Sequence, residues 1–341
     1  MINPLLRIFR CLPVVGLFFL FASVACAQSN FEHPGLTHQG FAAVLQDDTV
    51  FVIGGLISYE GNTRPVTDNY KINLGTRSVT RISTDVIFSN SNAAAFWDGR
   101  IYVSGGSALV SHQLNAYSQA YSTGFSRAFA VYDIANDSWE RLPNMPTTAY
   151  GHCSFASGGN VYVVGGQQQR SPRPFMSPYV TATRLLRYSI ADRRWTWMDA
   201  PAGILTQFAA CTQLGNEYFV IGGHDGRSLS NTVWAWNFEA NTWRRAPDLP
   251  HAMSGAKATT YDDAIYVAGG SSPADANGQS SGADHPVLVL RNGAEQWEVV
   301  GQASAQRFGH AIAAWNDGVF LIGGNAIGSP RPSGLWIERI R

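Results

Sequence analysis

The stretch "GGHDGRSLSN" at 222–231 sets His224, Asp225 and Arg227 within four residues. Histidine is the side chain whose ordinary pKa lies near neutrality, so it can both give and take a proton in one turnover. A neighbouring carboxylate such as Asp225 can couple to it, and the guanidinium of Arg227 suits an anion. The same residues also spell a surface turn, because Asp-Gly bends a chain without any ligand. A second arginine, Arg307 in "QRFGHAIAAW", begins an apolar stretch, and its planar fork suits a carboxylate. Its competing use is to bond loop carbonyls. His152 in "YGHC" and His310 in "FGHA" each follow a glycine and read as structural histidines with satisfied hydrogen bonds. Arg170, Arg173, Phe175 and Tyr179 combine cations and rings that suit a sugar or an acidic ligand, a solvated loop being the equal alternative.

Other chemistries lack their residues. No HExxH or HxH pair is present for hydrolysis through a tightly held metal, and no Cys/His spacing suggests zinc, so no cofactor is expected. Lysine and arginine (24) balance aspartate and glutamate (24), which gives no electrostatic reason to expect nucleic acid or an anionic membrane as partner.

What must position these residues is a repeat. The phrases "VFVIGGL", "IYVSGGS", "VYVVGGQ", "YFVIGGH", "IYVAGGS" and "VFLIGGN" end at Gly54/Gly55, Gly105/Gly106, Gly165/Gly166, Gly222/Gly223, Gly269/Gly270 and Gly323/Gly324. A period of about 50 residues points to a propeller or solenoid. Trp139, Trp195, Trp243 and Trp297 recur at one register, following Tyr132, Tyr188, Trp236 and Leu290. Each repeat therefore holds four strands joined by hairpins, and the non-alternating apolar runs call for cover on both faces. Radially packed blades supply that cover, with glycine allowing the sharp turn out of a crowded interior. The sixth repeat lacks an outer tryptophan strand, while "NFEHPG" near the start resembles "SWERLPN" with Phe31 at the tryptophan position. The expectation is an all-β, six-bladed propeller of four-stranded antiparallel blades, the last closed by the N-terminal strand. The residues after the glycine pairs (Leu56, Ser107, Gln167, His224, Ser271 and Asn325) are expected at the axial pocket, beside long loops in the second and third blades.

The glycine pair, tyrosine and tryptophan resemble the Kelch repeat over essentially the whole chain after the leader. Within that family the chain is similar to the bacterial sialic acid mutarotases (N-acetylneuraminate epimerases), the closing blade with Arg307 and "WNDGVFLIGG" being the nearest echo. The resemblance implies interconversion of the α and β anomers of N-acetylneuraminate by acid/base proton transfer. It assigns proton transfer to His224 with Asp225, and carboxylate binding to Arg307. Arg227, Gln167, Asn325, Tyr150 and Arg170 complete the candidate substrate contacts. One departure stands out: that family has a glutamate after a middle-blade glycine pair, where this chain has His224, and an arginine where this chain has Leu229 or Ser230, with Arg227 as the nearest substitute. The rival reading is a non-catalytic propeller that binds carbohydrate, or another protein on its loop face.

Residues 1–27 read as a signal peptide, with Arg7 and Arg10 ahead of an apolar stretch and Ala25-Cys26-Ala27 as cleavage site. Residues 28–341 then form one propeller domain, periplasmic or secreted, with no membrane span. Lipidation at Cys26 is the lesser alternative. Cys153 and Cys211, which remain after cleavage, read as buried thiols or as a disulfide.

Overall fold

The structure, a computed structural model, describes residues 31–34, 38–59, 62–66, 68–85, 88, 90–115, 118–169, 179–271, 286–326 and 334–341. The expected leader and Cys26 lie outside the described residues. Each apolar run ahead of a glycine pair is the second strand of a four-stranded antiparallel sheet. In the first blade the order from the inside outward is Ala42–Gln46, Thr49–Ile53, Asn69–Asn73 and Val79–Ile82. Blades two to five repeat it, with inner strands Asn92–Trp97, Cys153–Ser157, Ala210–Leu214 and Ser254–Tyr261. The sixth runs Ala311–Trp315, Gly318–Ile322, Gly334–Arg339 and finally Phe31–Pro34, with Phe31 opposite Ile337 and Pro34 opposite Gly334.

Apolar side chains on both faces of every blade are buried because each sheet is covered by its neighbours. Six clusters of buried apolar residues among the described ones each span one interface between adjacent blades. The cluster joining Val50, Val52 and Ile72 of the first blade to Phe320 and Ile322 of the sixth closes the ring. Burying each such side chain stabilises the fold by about 1.5–3 kcal/mol.

The tryptophan register has a direct cause. Trp139, Trp195 and Trp243 sit opposite Tyr132, Tyr188 and Trp236 across the outer hairpins, with ring centroids 5.2, 5.0 and 5.4 Å apart. The indole N–H then reaches the chain leaving the preceding blade: Trp139 donates to the Ser83 carbonyl (2.9 Å), Trp195 to that of Pro143 (2.8 Å) and Trp297 to that of Pro247 (2.8 Å). Glycine is required at Gly105 (φ +65°) and Gly269 (φ +74°), where a Cβ would overlap the imidazoles of His152 and His310 from the next blade. Those rings lie in the space and bond the turn, His152 Nε2 to Ser104 Oγ at 2.8 Å and His310 Nε2 to the Ala268 carbonyl at 3.1 Å. Cys153 and Cys211, on the inner strands of the third and fourth blades, form a disulfide with Cα atoms 6.2 Å apart, so the buried-thiol reading gives way to a covalent tie between neighbours.

Candidate functional site at the propeller axis

The segments leading into the inner strands ring the axis on the face of the glycine turns. At or just before the start of the inner strands, at equivalent positions in the six repeats, stand Gly40, Ser91, Gly151, Phe208, Gly255 and Gly309. All six have positive φ, from 52° at Phe208 to 73° at Gly255. Four are glycine, which takes this conformation freely, whereas a bulky residue there costs roughly 1–2 kcal/mol. Phe208 nonetheless occupies it, and its ring lines a funnel of about 280 Å³.

Tyr150 and Phe308 bring two more rings to that funnel, and Asn90, Asn92, His152 and Lys257 bring polar groups. The Tyr150 hydroxyl accepts a hydrogen bond from Asn90 Nδ2 at 2.7 Å. Its ring stacks on Phe125 (4.6 Å), which stacks on the half-exposed Tyr179 (4.4 Å), and meets Phe208 edge to face (5.4 Å). Deeper along the axis a second cavity of about 150 Å³ lies between the inner strands, walled by small residues such as Ala42, Ala93 and Ala311 and by the disulfide cysteines. Asn92, His152 and Lys257 border both spaces, and His310 borders the deeper one. Burial pushes His152 and His310 down to about 3, with the charge of Lys257 acting in the same direction, so both imidazoles are neutral. Burial also lowers the Lys257 ammonium from its usual range.

The structure distributes the sequence candidates differently from the expectation. Of the residues after the glycine pairs, Leu56 lines the funnel. Gln167, His224 and Asn325 instead pair through their backbones with Tyr150, Gln207 and Phe308, so the leading segments take the axial side. Side chains tie the rim together: Gln167 Nε2 donates to Gln207 Oε1, Gln207 Nε2 to Thr181 Oγ1 (2.6 Å) and Thr181 Oγ1 to the Asp225 carbonyl (3.0 Å).

His224 lies behind Phe208, its ring stacked at 5.7 Å, and its Nδ1 accepts the Gly226 N–H at 3.0 Å, which leaves the proton on Nε2. Burial lowers its pKa, with Asp225 opposing. The Asp225 carboxylate accepts the Arg227 and Ser228 amides at 2.8 Å each, and these bonds hold its pKa below the usual value. No hydrogen bond among the described residues joins it to the imidazole. Arg227 is exposed on this turn.

Arg307, expected to grip a substrate carboxylate, is 3% exposed and faces a carboxylate of the protein itself. Its Nε lies 3.9 Å from Glu338 and its Nη1 donates to the Gly323 carbonyl at 3.4 Å, while Glu338 accepts the Ser304 amide (2.6 Å) and hydroxyl (2.8 Å). The short strand Arg307–Phe308 carries the guanidinium into the sheet packing while its neighbour Phe308 takes the funnel. Arg170, Arg173 and Phe175 lie outside the described residues.

The residues that line the axis and went unnoticed in the sequence are Phe208, Phe308, Asn90, Asn92 and Lys257. Lys257 carried a signal: the corresponding residues of the other blades are Ala42, Ala93, Cys153, Ala210 and Ala311, all small and uncharged.

Comparison with known proteins agrees with this architecture. Residues 206–250 match the Kelch motif. The Kelch-like protein terF of Aspergillus terreus is 27% identical over 258 residues, covering 71% of this chain and 51% of that protein. Human Kelch-like protein 34 is 28% identical over 56% of this chain and 30% of its own length, and Kelch repeat protein M-T8 of Myxoma virus 25% identical over 63% and 39%. The chain thus spans about half or less of these relatives. A solved structure titled "Structure of YjhT" superposes with a TM-score of 0.69 at 19% identity, covering 90% of this chain and 95% of that one. The chain is thus a six-bladed β-propeller that carries a Kelch motif and is similar to Kelch-like proteins.

Proposed function

We propose that the axial funnel binds an acidic monosaccharide and interconverts its anomers, with N-acetylneuraminate, the substrate of the mutarotases the sequence resembles, as the sugar to test first. The observation that carries this reading is Phe208, a strained aromatic residue where four of six equivalents are glycine. Strain held at a concave site is a reason to suspect function, and here its product is a ring on the funnel wall. Tyr150 and Phe308 supply further apolar surface for the C–H face of a sugar, and the volume suits one such ring.

Anomerisation opens the ring as the anomeric hydroxyl loses its proton and the ring oxygen gains one; the C–O bond breaks, the carbonyl turns and the ring recloses on its other face. The Tyr150 oxygen already accepts from Asn90, which leaves the phenolic proton to donate. The anomeric hydroxyl gives its proton to water in the funnel, because the Nδ1 of His152 is closed off from that space and burial makes the imidazole a weak base. His224 supports the wall from behind Phe208. The disulfide fits an oxidising compartment and supports export.

NMR of freshly released α-N-acetylneuraminate tests the reading. Accelerated anomerisation that falls at least tenfold in Tyr150→Phe and persists in His224→Ala is the expected result. Loss in His224→Ala alone moves proton transfer to the rim, and no acceleration removes the enzymatic reading. Phe208→Gly, which suits the backbone, should keep the melting temperature within a few degrees and weaken binding. The rival, a binding module, draws on Tyr179, which extends the aromatic surface outward at 50% exposure; it predicts saturable sugar or protein binding with no rate effect.

A further inference from the structure

We infer that the propeller axis is a binding site for one small monovalent anion, seated on the ammonium group of Lys257. Lys257 projects from the inner strand Ser254–Tyr261 and borders both the funnel and the deeper cavity. Among the described residues it has no hydrogen bond or ion pair, and no aspartate or glutamate lines either space. Lys257 is half-buried, and an ammonium group held partly out of water with no countercharge is destabilised. The lowered pKa of Lys257 expresses that cost, and a bound anion removes it.

Lys257 is the charged group that an occupant of the cavity would meet. His152 and His310, 7% and 0% exposed, each have an Nδ1 without a partner, and Asn92, 7% exposed, has an unpartnered Oδ1. All three side chains border the deeper cavity. None of these atoms is open to the cavity, so Lys257 alone presents charge to an occupant there. The size and charge of the site select the ligand class. One ammonium beside neutral imidazoles compensates one negative charge, and about 150 Å³ walled by alanines suits a halide, a formate or a single carboxylate group. The anion therefore comes from one of two sources, a free ion or the carboxylate of a sugar acid in the funnel; the second rests on the proposed function. Either source gives Lys257 the role that burial against Glu338 denies to Arg307.

The test is a melting series in chloride and in formate, with gluconate, too bulky for the cavity, holding ionic strength constant. The expected result is a saturable rise of about 4 °C at a hundred times the Kd, absent in Lys257→Met. Line broadening of chloride by the wild-type protein in ³⁵Cl NMR gives the same answer should that variant fail to fold. Displacement of chloride by N-acetylneuraminate, and not by its methyl ester, assigns the seat to the sugar carboxylate; saturable binding without displacement assigns it to the free ion. A response no different from gluconate, or an unchanged response in Lys257→Met, overturns the inference. Anomerisation with no anion effect would sink the seat and leave the proposed function standing.

Discussion

Replacing Cys153 and Cys211 together by alanine should lower the melting temperature by about 6 °C, and the size of that loss follows from where the bond lies. The two cysteines are 58 residues apart in sequence. Closing a loop of that length in the unfolded chain removes roughly 14 cal/mol/K, or about 4 kcal/mol at room temperature. The unfolding entropy of a chain of this length is on the order of 0.7 kcal/mol/K, so 4 kcal/mol converts to about 6 °C. The bond joins inner strands whose blades already pack through Phe155, Tyr218 and Val220, so the folded state itself should change little. Differential scanning calorimetry with and without reductant separates the contributions. Reductant should lower the wild-type midpoint by the same few degrees and leave the double variant untouched. A wild-type midpoint that ignores reductant, or free thiols at Cys153 and Cys211 in the denatured, unreduced protein, would refute the reasoning.

Two further outcomes follow from buried charge. His152 and His310 at about 3, and His38 at about 4, are depressed below their unfolded value near 6.5. Their contribution to stability is full above pH 6.5 and is lost as pH falls towards their folded values, at up to about 1.4 kcal/mol per pH unit for each. The melting temperature should therefore drop across that window, and His152→Gln/His310→Gln should flatten the slope; parallel profiles would contradict it. Glu338→Gln leaves the buried Arg307 without its carboxylate, a loss of about 3 kcal/mol by urea denaturation, with sugar binding in the funnel unchanged. A variant as stable as wild type would show that the pair is not needed.

The architecture was legible because its cause is repeated. Paired glycines mark every exit from a crowded second strand, and three outer hairpins set an aromatic pair at one spacing, so six imperfect copies reinforce one another. The funnel is written in the departures from the repeat, which a single sequence hides. Phe208 stands out only once its neighbours in space, Gly40, Gly151, Gly255 and Gly309, are seen to share its backbone conformation. Arg307 carried a persuasive type and place in the repeat, yet Glu338, distant in sequence, claims it. Asp225 likewise advertised chemistry and serves the turn amides. Local residue type could not reveal which long-range partner each charge would meet.

The pairing of Phe31–Pro34 with Gly334–Arg339 has a consequence for how the molecule is made. The first strand of the ring to be synthesised has its partner in nearly the last, so five blades can assemble in order while the seam stands open. An edge strand that waits this long is exposed to strands from other copies, and domain exchange through that seam is the characteristic error of such a ring. A tag fused directly before Phe31 would burden that final step more than one placed after Arg341.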